Sequence, residues 1–126
     1  MKNQAPIIKE QTLGHVVKVQ QVIDFIVLAE LQEGRRYGKQ IDQFIIQSLN
    51  GVGVNDSYLA QRLKVLAEKG HATSTWDSDN RYNRYYEITD SGLEYFAQLL
   101  KELPERVALA QKVYNQFNKM LKKYDR

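Results

Sequence analysis

The apolar residues of this 126-residue chain change period once and then change back, and few folds accommodate that order. From Val16 they recur at helical steps through Val19, Ile23, Ile26, Val27 and Leu31, until Gly34 offers a left-handed stop. A second helical stripe over 37–49 carries Ile41, Phe44, Ile45 and Leu49 and ends at the turn Asn50-Gly51-Val52-Gly53. A third, with Leu59, Leu63 and Leu66, follows the N-cap candidates Asn55, Asp56 and Ser57 and stops at Gly70. The step then falls to two. Residues 71–76 and 82–88 are Thr/Tyr/Trp-rich runs around the polar segment Asp77-Ser78-Asp79-Asn80-Arg81, the pattern of a β-hairpin. Thr89-Asp90-Ser91 then caps a return to helix through Leu93, Phe96, Leu99 and Leu100. Pro104 marks either a kink or the first turn of a new helix. Beyond it, Val107, Ala110, Tyr114, Phe117, Leu121 and Tyr124 are spaced three, four, three, four, three, which is an a/d seam.

This order predicts a mainly α chain with a small β-hairpin, of α+β class. Three helices followed by a two-stranded wing make a winged helix–turn–helix, expected over 13–101. A flexible arm is expected over 1–12, and a long C-terminal dimerisation helix over 102–126.

Composition removes most chemistry. The chain has no cysteine, hence no disulfide, thiolate nucleophile or Cys-ligated metal. Its two histidines, His15 and His71, cannot build a poly-His metal site in one chain. Neither a glycine-rich phosphate loop nor a nucleophile with a nearby His motif is present, so an enzyme is not expected, and no cofactor is implied. No apolar run approaches the ~20 residues that span a bilayer, and no signal segment opens the chain, so a cytoplasmic address is the expectation. The formal charge is only +3. Its placement is more telling than its size. Residues 35–84 hold eight basic and five acidic side chains and so carry the whole excess, inside the expected helix–turn–helix and wing.

Particular motifs resemble a family. Tyr37-Gly38, Leu59-x-x-x-Leu63-x-x-Leu66 leading to Glu68-Lys69-Gly70, and Ser74-x-Trp76 resemble the PadR family of winged-helix transcriptional regulators. So does Arg81-x-x-Arg84-Tyr85-Tyr86-x-Ile88-Thr89-Asp90-x-Gly92, its most specific piece; the likeness covers roughly 25–100. The sequence departs from that pattern at Ala60, where these regulators usually carry a tyrosine, and at His71, where they carry an aliphatic residue. A weaker resemblance, through Leu13-Gly14-His15-Val16-Val17-Lys18, Arg36-Tyr37-Gly38-Lys39 and Asn55-Asp56-Ser57-Tyr58, is to bacterial replication terminator proteins.

On either resemblance the partner is double-stranded DNA. With the leucines of 55–69 turned inward, its outer face carries Ser57, Tyr58, Gln61, Lys64, Val65 and Glu68, with Arg62 at the flank and Asn55, a further DNA-contact candidate, at the N-cap. The polar residue types among them hydrogen-bond base edges or phosphates. Arg81, Tyr82, Asn83 and Arg84 of the wing suit the flanking backbone or minor groove. Arg35, Arg36 and Lys39 cluster where a second-helix N-terminus would itself oppose cations, which leaves two readings open, a phosphate partner or an ordinary solvated loop. Val107, Ala110, Tyr114, Phe117, Leu121 and Tyr124 are the dimerisation candidates, and a two-fold dimer matches an inverted repeat. The PadR resemblance implies a homodimeric repressor that occupies an operator. Replication-fork arrest or plasmid partition is the alternative within DNA binding, and a winged-helix adaptor without DNA binding is the alternative outside it. The aromatics Trp76, Tyr85 and Tyr86 with His71 raise the idea of a small-molecule effector, but core packing and phosphate contact account for them.

Overall fold

The local signals for capping and turning are met almost residue by residue. The computed structural model describes residue 9 and residues 11–77 and 83–125. After a 3₁₀ turn at Leu13–His15 come α1 (Val19–Leu31), β1 (Arg36–Tyr37), α2 (Gly38–Ser48), α3 (Asp56–Glu68), β2 (Ala72–Trp76), β3 (Arg84–Ile88) and α4 (Asp90–Tyr124). Gly34, Gly51 and Gly70 all adopt positive φ where helices must turn off, the conformation that glycine reaches without a Cβ clash. The arm expected over 1–12 lies largely outside the described residues.

One unit spans Val19–Glu102, and a second joins the segment up to Lys18 to the helix from Leu103 onward. The first unit's core interleaves Ile23, Val27, Leu28 and Leu31 of α1 with Ile41 and Ile45 of α2 and Leu59, Leu63 and Leu66 of α3. Tyr86, Ile88 and Phe96 pack against that core, and Phe25 stacks on Phe96 with ring centroids 4.5 Å apart. In the second unit Val16 and Leu103 are buried, and an Arg106 Nη1 donates to the His15 carbonyl at 3.4 Å.

Thr89 joins the end of α3 to the start of α4. Its hydroxyl donates to the Gly70 carbonyl at 2.6 Å and accepts from the Gly92 amide at 3.0 Å, which is the N-cap contact. Gly92 has a separate reason to be glycine: a Cβ there would lie 2.1 Å from the His71 carbonyl oxygen.

Three expectations change. The first helix starts at Val19, not Val16. The sheet has three strands in the order β1-β3-β2, because Arg36 and Tyr37 form a two-residue strand before α2 instead of opening it. The registers are Arg36↔Tyr86 and Tyr37↔Tyr85 on one side of β3, and Ala72↔Ile88 through Trp76↔Arg84 on the other. Finally, α4 runs unbroken through Pro104. An interior proline removes one hydrogen bond, to the carbonyl four residues back, and costs about 3 kcal/mol. Continuing leaves Leu93, Leu100, Val107, Tyr114 and Leu121 on one seven-residue row that spans the proline.

Among the described residues no helix is long and apolar enough to cross a membrane. Among them, too, no three His, Cys, Asp or Glu side chains are grouped to hold a metal ion.

Candidate nucleic-acid interface

The start of α3 is built by its own side chains. Asn55 sits in extended backbone, and its Oδ1 accepts from the Tyr58 amide at 2.7 Å and from the Ser57 hydroxyl at 2.9 Å. Asn55 and Ser57 thus hold the helix end while remaining exposed. With Leu59, Leu63 and Leu66 buried, the exposed face of α3 carries Ser57, Ala60, Gln61, Lys64 and Glu68. Tyr58 does not join it: the ring is half-buried against the core.

Arg62, expected at the flank of this face, turns inward in the structure. Its Nε and Nη2 donate to the two carboxylate oxygens of Asp24, at 2.9 and 2.6 Å. Asp24 lies on α1 and is 0% exposed, so its charge has no water to face and needs this partner. The Tyr95 hydroxyl donates a third hydrogen bond to it at 2.8 Å. Burial, then the hydrogen bond to Asp24, pushes the Tyr95 phenol well above its ordinary range. The hydrogen bond to Asp24 likewise raises Arg62, against the opposing effect of burial. Asp24 was not singled out from the sequence. The available signal was an acidic residue between Ile23 and Ile26, inside an otherwise apolar stripe.

The base of the wing gathers three of the other candidates, Lys39, Asn83 and Arg84. Tyr37 donates its hydroxyl to Asp77 Oδ2 at 2.8 Å, tying β1 to the end of β2, and this bond raises the phenol's pKa. Asp77 therefore turns to Tyr37, and its amide donates to the Asn83 carbonyl at 2.8 Å. Arg84 lies over the half-exposed Trp76 ring, its guanidinium carbon 4.4 Å from the centroid. Lys39, Trp76, Asn83 and Arg84 line one open groove of about 300 Å³ with Gly38 and Tyr86. A second groove, about 450 Å³, separates α2 from α3 and is lined by Lys39, Asp42, Asp56 and Ala60 above Leu59 and Leu63. Arg81 and Tyr82 lie outside the described residues.

Arg35 and Arg36 part company. Arg35 is exposed and stacks over Tyr85, 4.3 Å from its centroid. Arg36 pairs with Glu30 at 3.0 Å and also donates to the Arg35 carbonyl, so its charge is answered within the protein. His71 is a packed residue: it stacks on Tyr95 at 4.7 Å, with Nδ1 2.7 Å from the Ser91 hydroxyl. With Arg36 and Arg62 committed internally, Arg35, Lys39, Lys64, Lys69 and Arg84 remain as exposed cations among the described residues of 35–84.

On α4, Val107, Tyr114, Phe117, Leu121 and Tyr124 are all exposed, Tyr124 by 81%, with Ala110 half-buried beside them. Met120, Leu100 and Leu93 are exposed too. So many large apolar side chains along one helix make an unusual surface for a lone chain.

The model of the transcriptional regulator PadR-like family matches residues 27–98. Among solved structures, a transcriptional regulator from Clostridium thermocellum is 28% identical with a TM-score of 0.64, covering 79% of this chain and 92% of that one. The transcriptional regulator BldR from Sulfolobus solfataricus is 20% identical, TM-score 0.56, covering 88% and 79%. RosR of H. salinarum is 19% identical, TM-score 0.55, covering 78% and 93%. The last two show the fold alone, that of winged-helix regulators. No curated protein matches the chain.

Proposed function

This chain belongs to the PadR-like family of transcriptional regulators, and on that premise we propose that it is a homodimeric repressor that acts by occupying an operator in double-stranded DNA. The observation that carries the proposal is the exposed face of α3, where Ser57, Gln61 and Lys64 stand clear of a buried leucine stripe. An amide and an ammonium at that spacing suit the major groove: Gln pairs bidentately with adenine, and Lys donates to the guanine acceptors. Lys39, Asn83 and Arg84 share one groove at the wing base and supply the phosphate contacts that set register without reading sequence. Arg81 and Tyr82 belong to the same proposal by their place in the wing sequence. Asn55 and Arg35 join as backbone contacts at the helix start and sheet edge, while Tyr58, Arg36 and Arg62 act from inside.

The apolar row on α4 is the second half of the proposal. A second copy of the chain buries Val107, Ala110, Tyr114, Phe117, Leu121 and Tyr124 in an isologous helix pair. A two-fold dimer presents two α3 helices, which suits an inverted repeat. No bond is made or broken. Repression is exclusion of polymerase by a bound dimer.

The test is an anisotropy titration of the protein on duplexes enriched from a random pool, repeated across salt concentrations. Each phosphate neutralised contributes about −0.9 to the log–log slope, so the five exposed cations described over 35–84 together with Arg81, counted twice in a dimer, set a ceiling near about −11. Enriched sequences with two-fold symmetry and a steep slope support the proposal. A flat salt response, or no enrichment, defeats it.

A further inference from the structure

Three helices of the Val19–Glu102 unit meet at one carboxylate. Asp24 of α1 takes two hydrogen bonds from Arg62 of α3 and one from Tyr95 of α4. Tyr95 in turn stacks on His71, which is hydrogen-bonded to Ser91 at the first turn of α4. Such a pair is a poor source of stability. Desolvating both charges offsets most of their attraction, and apolar residues of similar volume often replace a buried pair at no cost. Leu59, Leu63 and Leu66 already anchor α3 to the core. What the pair adds is geometry. A leucine stripe tolerates small rotations and slides, whereas the planar guanidinium fork meets a carboxylate side by side in one arrangement.

The rotation that this fork fixes is the one that matters for reading DNA. Gln61 and Lys64 stand one residue before and two residues after Arg62 on the same helix. Successive residues are about 100° apart around an α-helix, so any turn of α3 that releases Arg62 swings Gln61 and Lys64 by the same angle. We infer that Asp24, Arg62 and Tyr95 are positioning residues that set the rotation of α3 and thereby the protein's discrimination among DNA sequences, with no contact to DNA themselves. This rests on the reading of α3 as the groove-reading helix.

The test replaces the network with apolar side chains, Asp24→Leu, Arg62→Met and Tyr95→Phe together, and compares affinities for two probes. One is a duplex enriched from a random pool by the wild-type protein, and the other is a shuffled duplex of the same composition. The triple variant is expected to unfold near the wild-type temperature and to bind the shuffled duplex with unchanged affinity and salt slope. On the enriched duplex it loses about tenfold or more, the scale of one good base contact. An unchanged ratio in the folded variant, or an equal loss on both duplexes, overturns the inference. Should the triple variant fail to fold, Arg62→Lys, which keeps the charge and loses the fork, and Tyr95→Phe carry the same comparison. Each is expected to lower the ratio, and two unchanged ratios overturn the inference. If the wild-type protein enriches no duplex, the reading of α3 falls first and the inference with it.

Discussion

Arg62→Met separates an internal arginine from a base-reading one by stability alone, with no DNA present. The wild-type guanidinium is largely buried, its side chain 13% exposed, against a carboxylate that is 0% exposed. Methionine keeps most of the apolar stem and removes both charge-assisted hydrogen bonds. Among the described residues, Asp24 is then left with the Tyr95 hydroxyl as its one side-chain donor and with no ion-pair partner. Removing one partner of a buried pair costs about 3–5 kcal/mol, because the other charge stays desolvated. A domain typically has only about 5–15 kcal/mol in total, so this is a large fraction. In urea, with a slope of about 1–3 kcal/mol per molar, the midpoint falls by about one molar or more. An exposed base-reading arginine would change stability by no more than about 0.5 kcal/mol. The assay is urea unfolding followed by circular dichroism at one fixed protein concentration, since dimerisation makes apparent stability depend on concentration. A loss below about 1 kcal/mol would mean that Arg62 swings out freely and that the internal placement is wrong.

Gly92→Ala puts a methyl group 2.1 Å from the His71 carbonyl oxygen and 2.8 Å from Ile88 Cγ1, a backbone clash that cannot be relieved by a rotamer change. The expected loss is about 3 kcal/mol or more, read by the same unfolding curve, and a neutral result would contradict the close approach. Tyr95 has its folded pKa raised above the unfolded value near 10, so its contribution is complete below pH 10 and is lost as pH rises beyond it. Ultraviolet titration is expected to show at least one phenol resisting ionisation above pH 10 until the protein unfolds, and Tyr95→Phe should make the alkaline loss of stability shallower. Phe117→Glu with Leu121→Glu places two carboxylates per chain in the apolar row, and sedimentation velocity is expected to show a monomer with sharply weakened DNA binding. A persistent dimer would place the interface elsewhere.

The parts of the fold legible in the sequence are those governed by contacts within a few residues. The Asn55 cap, the Leu59-Leu63-Leu66 stripe and the Gly70 stop delimit α3 to within a residue or two, because capping and helical periodicity are local. The hairpin was equally plain, since strand alternation and a polar turn leave a local mark. The third strand was not. Two residues, Arg36 and Tyr37, are too few to show a period, and they form a strand only because β3 arrives from 48 to 50 residues away. Pro104 misled for a related reason. Its local preference is to end a helix, and the seven-residue row from Leu93 to Leu121 runs past it.

The candidate site divides along the same line. Gln61 and Lys64 could be placed outward by their spacing from the leucines, and they are exposed. Arg62 could not, because at the flank of a helix a long side chain reaches either solvent or core, and its choice is set by Asp24, 38 residues earlier. The eight basic residues counted over 35–84 likewise include two whose charge is spent inside the protein. What faces DNA in the proposed complex is a smaller cationic set centred on Lys39, Lys64 and Arg84.

The most direct measurement is a parallel selection from random duplexes with the wild-type protein and with Gln61→Ala. If α3 reads the major groove, the wild-type motif has two-fold symmetry, and the variant loses preference at one position in each half-site, equivalent to about 1–3 kcal/mol, while keeping the rest. Identical motifs from both proteins, or no motif from either, would contradict the account at its centre.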